Sequence, residues 1–216
     1  MRYLTLLTLL SVYAAPPTFG YPVNKTLKKI TYKVPSGTAA LVSFEGKSYL
    51  ISNWHVCRHF KTQEVDASNE FYGEVVKVKV LRMYPELDTC VMTGTGKVGA
   101  KIGKFVKKGA PVYSAGYPGG VNNLVLTQGY AVDWIVAPLN FGSSERCPAG
   151  FLTINAKCEK SFQLQDTTMR GAPGCSGSAM LNSRGEYVGL VNSTNQGNLS
   201  VLNVSNVIKA IRLFKP

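Results

Sequence analysis

Histidine and aspartate are scarce in this chain. Among 216 residues there are two histidines, His55 and His59, and four aspartates, Asp66, Asp88, Asp133 and Asp166. Chemistry that needs a base held by a carboxylate therefore has few residues to draw on. No C-x-x-C pair and no His/Cys cluster occurs, so no metal is expected, and no motif calls for a cofactor. There is no Arg-rich run and no interleaving of basic with aromatic residues. The formal net charge of +12 thus points first to a soluble surface with a basic bias, and nucleic acid is a disfavoured partner. Beyond the opening residues, no apolar run is long enough to cross a membrane.

What is present favours β structure. The length suits one domain or a pair of small barrels, and 45% hydrophobic residues are enough for a core. Gly is frequent at 21 residues, and Val, Ile, Thr and Tyr recur in short runs. The start reads as a signal peptide over 1–14: Arg2, then apolar Leu4–Val12, then small residues before a cleavage point after Ala14. The expected location is secreted, periplasmic or extracellular. An uncleaved segment would instead anchor the chain to a membrane. Export permits disulfides among the five cysteines, and Cys147 with Cys158, which bracket "CPAGFLTINAKC", is the expected pair. Cys57 with Cys90 is a second option.

Residues 15–35 read as a leader segment. Strands are predicted over 38–44 and 48–54, joined by an "EGK" hairpin turn, and over 74–83, where the alternation is strict. Further strands follow at 88–94, 110–118, 123–137, 161–166, 178–182, 187–193 and 199–204. A basic connector (97–108) separates two sets, and 138–161 reads as a long loop. Residues 205–214 carry helical spacing at Val207, Ile208, Ile211 and Phe214, with Ser205 as N-cap. Many short strands with one closing helix predict an all-β fold, in which closed barrels leave no exposed edges.

The chemistry centres on "GAPGCSGSAM" (171–180). A serine hydroxyl is a weak nucleophile and needs a base. His55 lies just after a predicted strand in "LISNWHVC", whereas His59 follows in a polar stretch suited to the surface. Asp88, in "YPELDTCVM", stands between a Pro-containing turn and an apolar strand, where its carboxylate can point inward. Gly174 and Gly177 flank Cys175–Ser176, so the backbone can turn sharply, and the amides of Gly174 and Ser176 can converge on one point.

Four segments in order then resemble a known family. "LISNWHV" is similar to a "T-N-x-H-V" histidine segment, and "YPELDTCVM" to an aspartate segment. "PVYSAGYPGGVNNLVLTQGYA" resembles the stretch after a first barrel, and "GAPGCSGSAMLNSRGEYVGLVNS" a serine segment. Together they resemble the trypsin-like serine proteases of the chymotrypsin fold, most nearly the HtrA/Deg-type protease domain and related bacterial and viral peptidases. The resemblance implies a protease domain at 36–216: two six-stranded antiparallel β-barrels, about 36–104 and 105–204, and the C-terminal helix 205–214. It implies His55 as base, Asp88 as its orienter, Ser176 as nucleophile, and Gly174 and Ser176 as oxyanion donors. Substrate, a protein or peptide, would meet Thr168 and Arg170 before the serine loop and Val191, Asn192 and Ser193 beyond it.

Two departures stand out. Digestive relatives carry an Asp before the serine that receives a freed N-terminus. Cys175 fills that position here, so the oxyanion turn has to be held in another way. Ser178–Ala179 replaces a step that usually bears proline. The expected function is a serine endopeptidase. The alternatives are a catalytically inactive protease fold used for binding, or a viral enzyme that processes a polyprotein. No acidic residue falls among the expected pocket residues, which disfavours Lys or Arg at the cleaved position, and Arg170 leaves room for an acidic one.

Overall fold

The computed structural model describes residues 20–140, 147, 151–154 and 157–214. The expected signal peptide lies outside them. The stretch expected as a leader is part of the fold from Tyr21 onward. It forms a helix, α1 (Tyr21–Ile30), and a strand, β1 (Thr31–Val34). Pro22 sits in the first turn, where its missing N–H leaves no bond unmade. Val23, Leu27 and Ile30 fall on one helical face and are buried, and Tyr32 and Val34 continue into the core. The polar lysines between them hide this periodicity in the sequence.

The first barrel continues with β2 (Gly37–Phe44), β3 (Lys47–Ser52), the single turn α2 (Trp54–Cys57), β4 (Glu64–Asn69), β5 (Glu74–Tyr84) and β6 (Thr89–Thr93). The strand order is β1-β4-β5-β6-β3-β2, and pairing of β1 with β2 closes the ring. A short β7 (Ala100–Lys101) lies parallel to β2 outside it. The predicted β2–β3 hairpin forms. Glu45 and Gly46 both take positive φ (47° and 79°), the backbone twist a tight hairpin needs.

The second barrel comprises β8 (Pro111–Gly116), β9 (Val125–Asn140), β10 (Leu152–Ile154), β11 (Lys157–Arg170), β12 (Ala179–Asn182), β13 (Tyr187–Asn195) and β14 (Asn198–Asn203). Its ring runs β11-β14-β13-β12-β8-β9, closed by β9 against β11, with β10 appended to β11. The region expected as one long loop, 138–161, is therefore shorter: β9 runs on to Asn140, which pairs with Glu159. Cys147 is disulfide-bonded. The side chain of Cys158, its expected partner, lies outside the described residues. The last helix, α3 (Val204–Phe214), buries Val207, Ala210 and Ile211 and packs on β6 and β13, one strand from each barrel. It starts a residue earlier than predicted. Asn203, not Ser205, caps it, its Oδ1 accepting from the Ser205 amide at 2.8 Å.

Cys57 and Cys90 are joined by a disulfide across a separation of 33 residues, and both are fully buried. Cys57 follows His55 by two residues, and Cys90 follows Asp88 by two. The bond therefore ties together the elements that carry those two side chains. Closing a loop of this length contributes about 3–4 kcal/mol by restricting the unfolded chain. Replacing both cysteines with Ala should lower stability by about that amount in chemical denaturation. A loss below about 1 kcal/mol would show that the bond does not restrict the unfolded chain as argued.

Candidate active site

His55 and Asp88 meet at the end of the first barrel's third strand. β3 ends at Ser52, and the single turn α2 presents His55. Asp88 follows a short 3₁₀ turn (Pro85–Leu87) and takes a left-handed backbone, φ 43° and ψ 45°. Such a conformation costs a non-Gly residue on the order of 1 kcal/mol, and Asp is among the residues that tolerate it. It aims the carboxylate under His55. Asp88 Oδ2 accepts from His55 Nδ1 at 2.8 Å, and Oδ1 accepts from the His55 amide at 3.0 Å. The Asn192 side-chain amide also donates to Oδ2. The Asp88 side chain is wholly buried while that of His55 is 23% exposed, so the ring forms the wall between the acid and solvent.

The other three aspartates find their partners elsewhere. Asp66 pairs with Lys77 at 2.8 Å and Asp133 with Lys108 at 2.6 Å, both on the surface. Asp166 binds Ser200 and Asn195. His59 is exposed. Burial first, and then the neighbouring Arg58 charge, lower its pKa. Among the described residues, no group of three or more His, Cys, Asp or Glu is placed to hold a metal ion.

Ser176 lies in the loop between β11 and β12. It shares with His55 a cavity of about 260 Å³ that lies between the barrels. Its Oγ donates to the Asn192 carbonyl at 2.9 Å. Two glycines make the turn possible. Gly174 takes φ +99°, and a Cβ there would stand 2.4 Å from the Tyr117 carbonyl. Gly177 takes φ +91°, and a Cβ there would overlap the Thr38 carbonyl at 1.8 Å. Within the loop, the amides of Cys175, Gly177 and Ser178 donate to the carbonyls of Ala172, Val191 and Cys175. Among the described residues, the amides of Gly174 and Ser176 take no such partner. Two amides left open beside one serine are the donors an oxyanion requires.

Cys175 is not positioned as a reactive thiol. It is buried in the second barrel's core with Met180, Val188 and Val191, and that burial raises its pKa. It packs as a small hydrophobe.

Of the expected substrate-binding residues, Val191, Asn192 and Ser193 line the cavity, together with Ala172, Thr194 and Leu199. Thr168 and Arg170 are exposed on β11, and neither lines it. The Thr168 hydroxyl accepts from the Tyr130 amide instead. The reason is strand parity. Thr168 and Arg170 alternate with the buried Thr167 and Met169, so they point outward. Two contributions were not legible beforehand. The side chain of Asn192 reaches Asp88 because β13 shifts register between Val191 and Ser193. Thr38, an ordinary residue at the start of a strand, touches the serine loop at two points.

The structural likeness to known proteins is broad at low identity. The Rv3671c protease from M. tuberculosis, in its active form, matches with a TM-score of 0.72 at 17% identity, over 92% of this chain and 87% of that one. The serine endoprotease from Yersinia pestis matches at 0.68 and 16% identity, over 92% and 67%. The HtrA-type protease AlgW with a bound decapeptide matches at 0.62 and 19% identity, over 82% of this chain and 51% of that one. No curated protein matches in sequence. The family model for the trypsin-like peptidase domain, however, matches residues 37–190, most of the chain and all of the candidate site but the five lining residues beyond Leu190. The protein belongs to the trypsin-like peptidase family.

Proposed function

We propose that the protein is a serine endopeptidase in which His55, Asp88 and Ser176 act as the triad. One observation carries the reading: a buried Asp88 bonded to His55 Nδ1 at 2.8 Å, with Ser176 in the same cavity as His55 and the open amides of Gly174 and Ser176 in its loop. Asp88 accepts the hydrogen bond from Nδ1–H, so Nε2 is the nitrogen that acts as base. The Ser176 hydroxyl turns from the Asn192 carbonyl to Nε2 and attacks the substrate carbonyl, and its proton moves to His55. The Gly174 and Ser176 amides take the oxyanion, each worth about 3–4 kcal/mol in the transition state. The C–N bond then breaks, His55 protonates the leaving amine, and water repeats the sequence to release the acid. The decapeptide held by AlgW supports a peptide substrate.

Ala172, Val191 and Leu199 make the pocket beside Ser176 small and uncharged, with Cys175 in its wall. Small to medium apolar side chains should therefore be preferred before the cleaved bond. Lys, Arg, Asp and Glu should be disfavoured by more than about tenfold, because a charge would be buried unpaired. Profiling with a peptide library tests this, and a preference for a charged residue would sink it. Export fits the same reading. The Cys57–Cys90 bond suits an oxidising compartment, and the signal-like start supplies the route.

The deciding experiment is labelling with a fluorophosphonate followed by peptide mass mapping. An adduct on Ser176 that is absent in His55→Ala is the expected result. Well-folded protein without an adduct would overturn the proposal in favour of an inactive binding module.

A further inference from the structure

Thr38 stands at the start of β2, in the first barrel, and is fully buried. Every polar atom it has is engaged. Its amide donates to the Ser176 carbonyl at 3.0 Å. Its hydroxyl donates to the Gly174 carbonyl at 2.8 Å and accepts from the Tyr117 amide at 3.2 Å. Its carbonyl accepts from Ser52 Oγ at 2.7 Å, which fixes the residue to β3.

The placement of these bonds matters more than their number. The Gly174 and Ser176 carbonyls belong to the peptide units on either side of the Cys175–Ser176 peptide, whose N–H is one of the open amides. With both neighbours pinned, and its own carbonyl accepting from the Ser178 amide, that N–H is held in place. The other open amide belongs to the Pro173–Gly174 peptide. Its carbonyl accepts from Gly119, at the tip of the short turn that follows Tyr117. Thr38 holds the Tyr117 end of that turn. One side chain from the first barrel thus bears on both oxyanion donors of the second, alongside the loop's own bonds through the Cys175 amide and carbonyl.

Resting on the serine-peptidase reading, we propose that Thr38 is a positioning residue that locks the oxyanion turn in its donor-ready form. It touches no substrate. Without its hydroxyl, the Gly174 carbonyl and the Tyr117 amide lose their partner. The turn can then relax to conformations in which the two donors no longer converge.

The test compares Thr38→Val, which keeps the shape and removes the hydroxyl, with Thr38→Ser, which restores it. Thr38→Val should lower kcat about 10- to 100-fold with KM changed less than about twofold. Affinity for a peptide aldehyde, whose adduct needs the oxyanion donors, should fall in parallel. Affinity of an uncleaved peptide for the same variant in a Ser176→Ala background should stay at the parent value. Thr38→Ser should recover kcat to within about threefold of wild type. Melting temperature is recorded for each, and Thr38→Ala takes the place of Thr38→Val if that variant does not fold. If kcat and aldehyde affinity hold in Thr38→Val, the proposal is overturned. Equal loss in the Val and Ser variants also overturns it, since the hydroxyl would then not be the cause. A wild type that fails to label at Ser176 overturns the peptidase reading and this proposal with it. A labelled wild type with an unaffected Thr38→Val overturns this proposal alone.

Discussion

Ser176→Ala should lower kcat/KM by on the order of 10⁶-fold while leaving the fold in place. The size follows from what is removed. The hydroxyl is the only side-chain group in the proposed mechanism that bonds to the substrate carbon, and no second side-chain nucleophile stands ready. Cys175, its neighbour, is buried and has a raised pKa, so it supplies little thiolate at neutral pH. The fold should survive because Ser176 Oγ makes one bond, to the Asn192 carbonyl. Losing it leaves an acceptor beside an open cavity, where water can replace it, a change of at most about 1 kcal/mol. Peptide affinity should be kept, since the cavity wall and both amides remain. His55→Ala should match the loss within about tenfold, because nucleophile and base act as one unit and their effects do not add. Single-turnover hydrolysis, thermal melting and peptide binding by calorimetry measure the three quantities. Cleavage by pure Ser176→Ala at more than about a hundredth of the wild-type rate would mean that another residue does the chemistry.

The scarcity of candidates made the site readable. With two histidines and four aspartates, position relative to strands was enough to choose, because a side chain at a strand end is held and can face a cleft. The three aspartates passed over do lie apart from His55, two of them in surface ion pairs. The glycines around Ser176 were legible for a related reason: a sharp turn with positive φ leaves few residues to choose from. The hairpin at Glu45–Gly46 was visible because its turn and flanking alternation are local signals.

What escaped the sequence depends on distant partners. Helix α1 is read as polar because three lysines separate its buried face, and only its packing shows that face to be core. The pairing of β9 with β11 runs between segments whose register no local pattern encodes. Closeness in sequence to the serine predicts Thr168 and Arg170 in the cavity wall. Strand alternation turns both outward. Thr38 could not be foreseen at all. Its role depends on bonds to residues 79 and 136 positions away, and a threonine at the start of a strand is ordinary.

Asp88→Asn should lower kcat about 10⁴-fold, far beyond any effect on folding. Three donors converge on the native carboxylate: His55 Nδ1, the His55 amide and the Asn192 side-chain amide. A carboxylate accepts from all three. An amide in its place has one accepting oxygen and an NH₂ that must itself find an acceptor. If the oxygen keeps the His55 amide, the NH₂ faces Nδ1. The imidazole then accepts there and carries its proton on Nε2, where it can no longer take one from Ser176. If the oxygen instead serves Nδ1, the NH₂ is set against the His55 amide, donor against donor. Either arrangement removes the negative charge that stabilises the imidazolium in the transition state. The buried mismatch should also destabilise the fold by about 1–3 kcal/mol, so activity is measured well below the melting temperature. The Nδ1 proton resonance reports the tautomer directly and should vanish from its low-field position in the variant. A kcat within tenfold of wild type would mean that Asp88 does not orient His55, and no other aspartate of the chain is close enough to have taken the role.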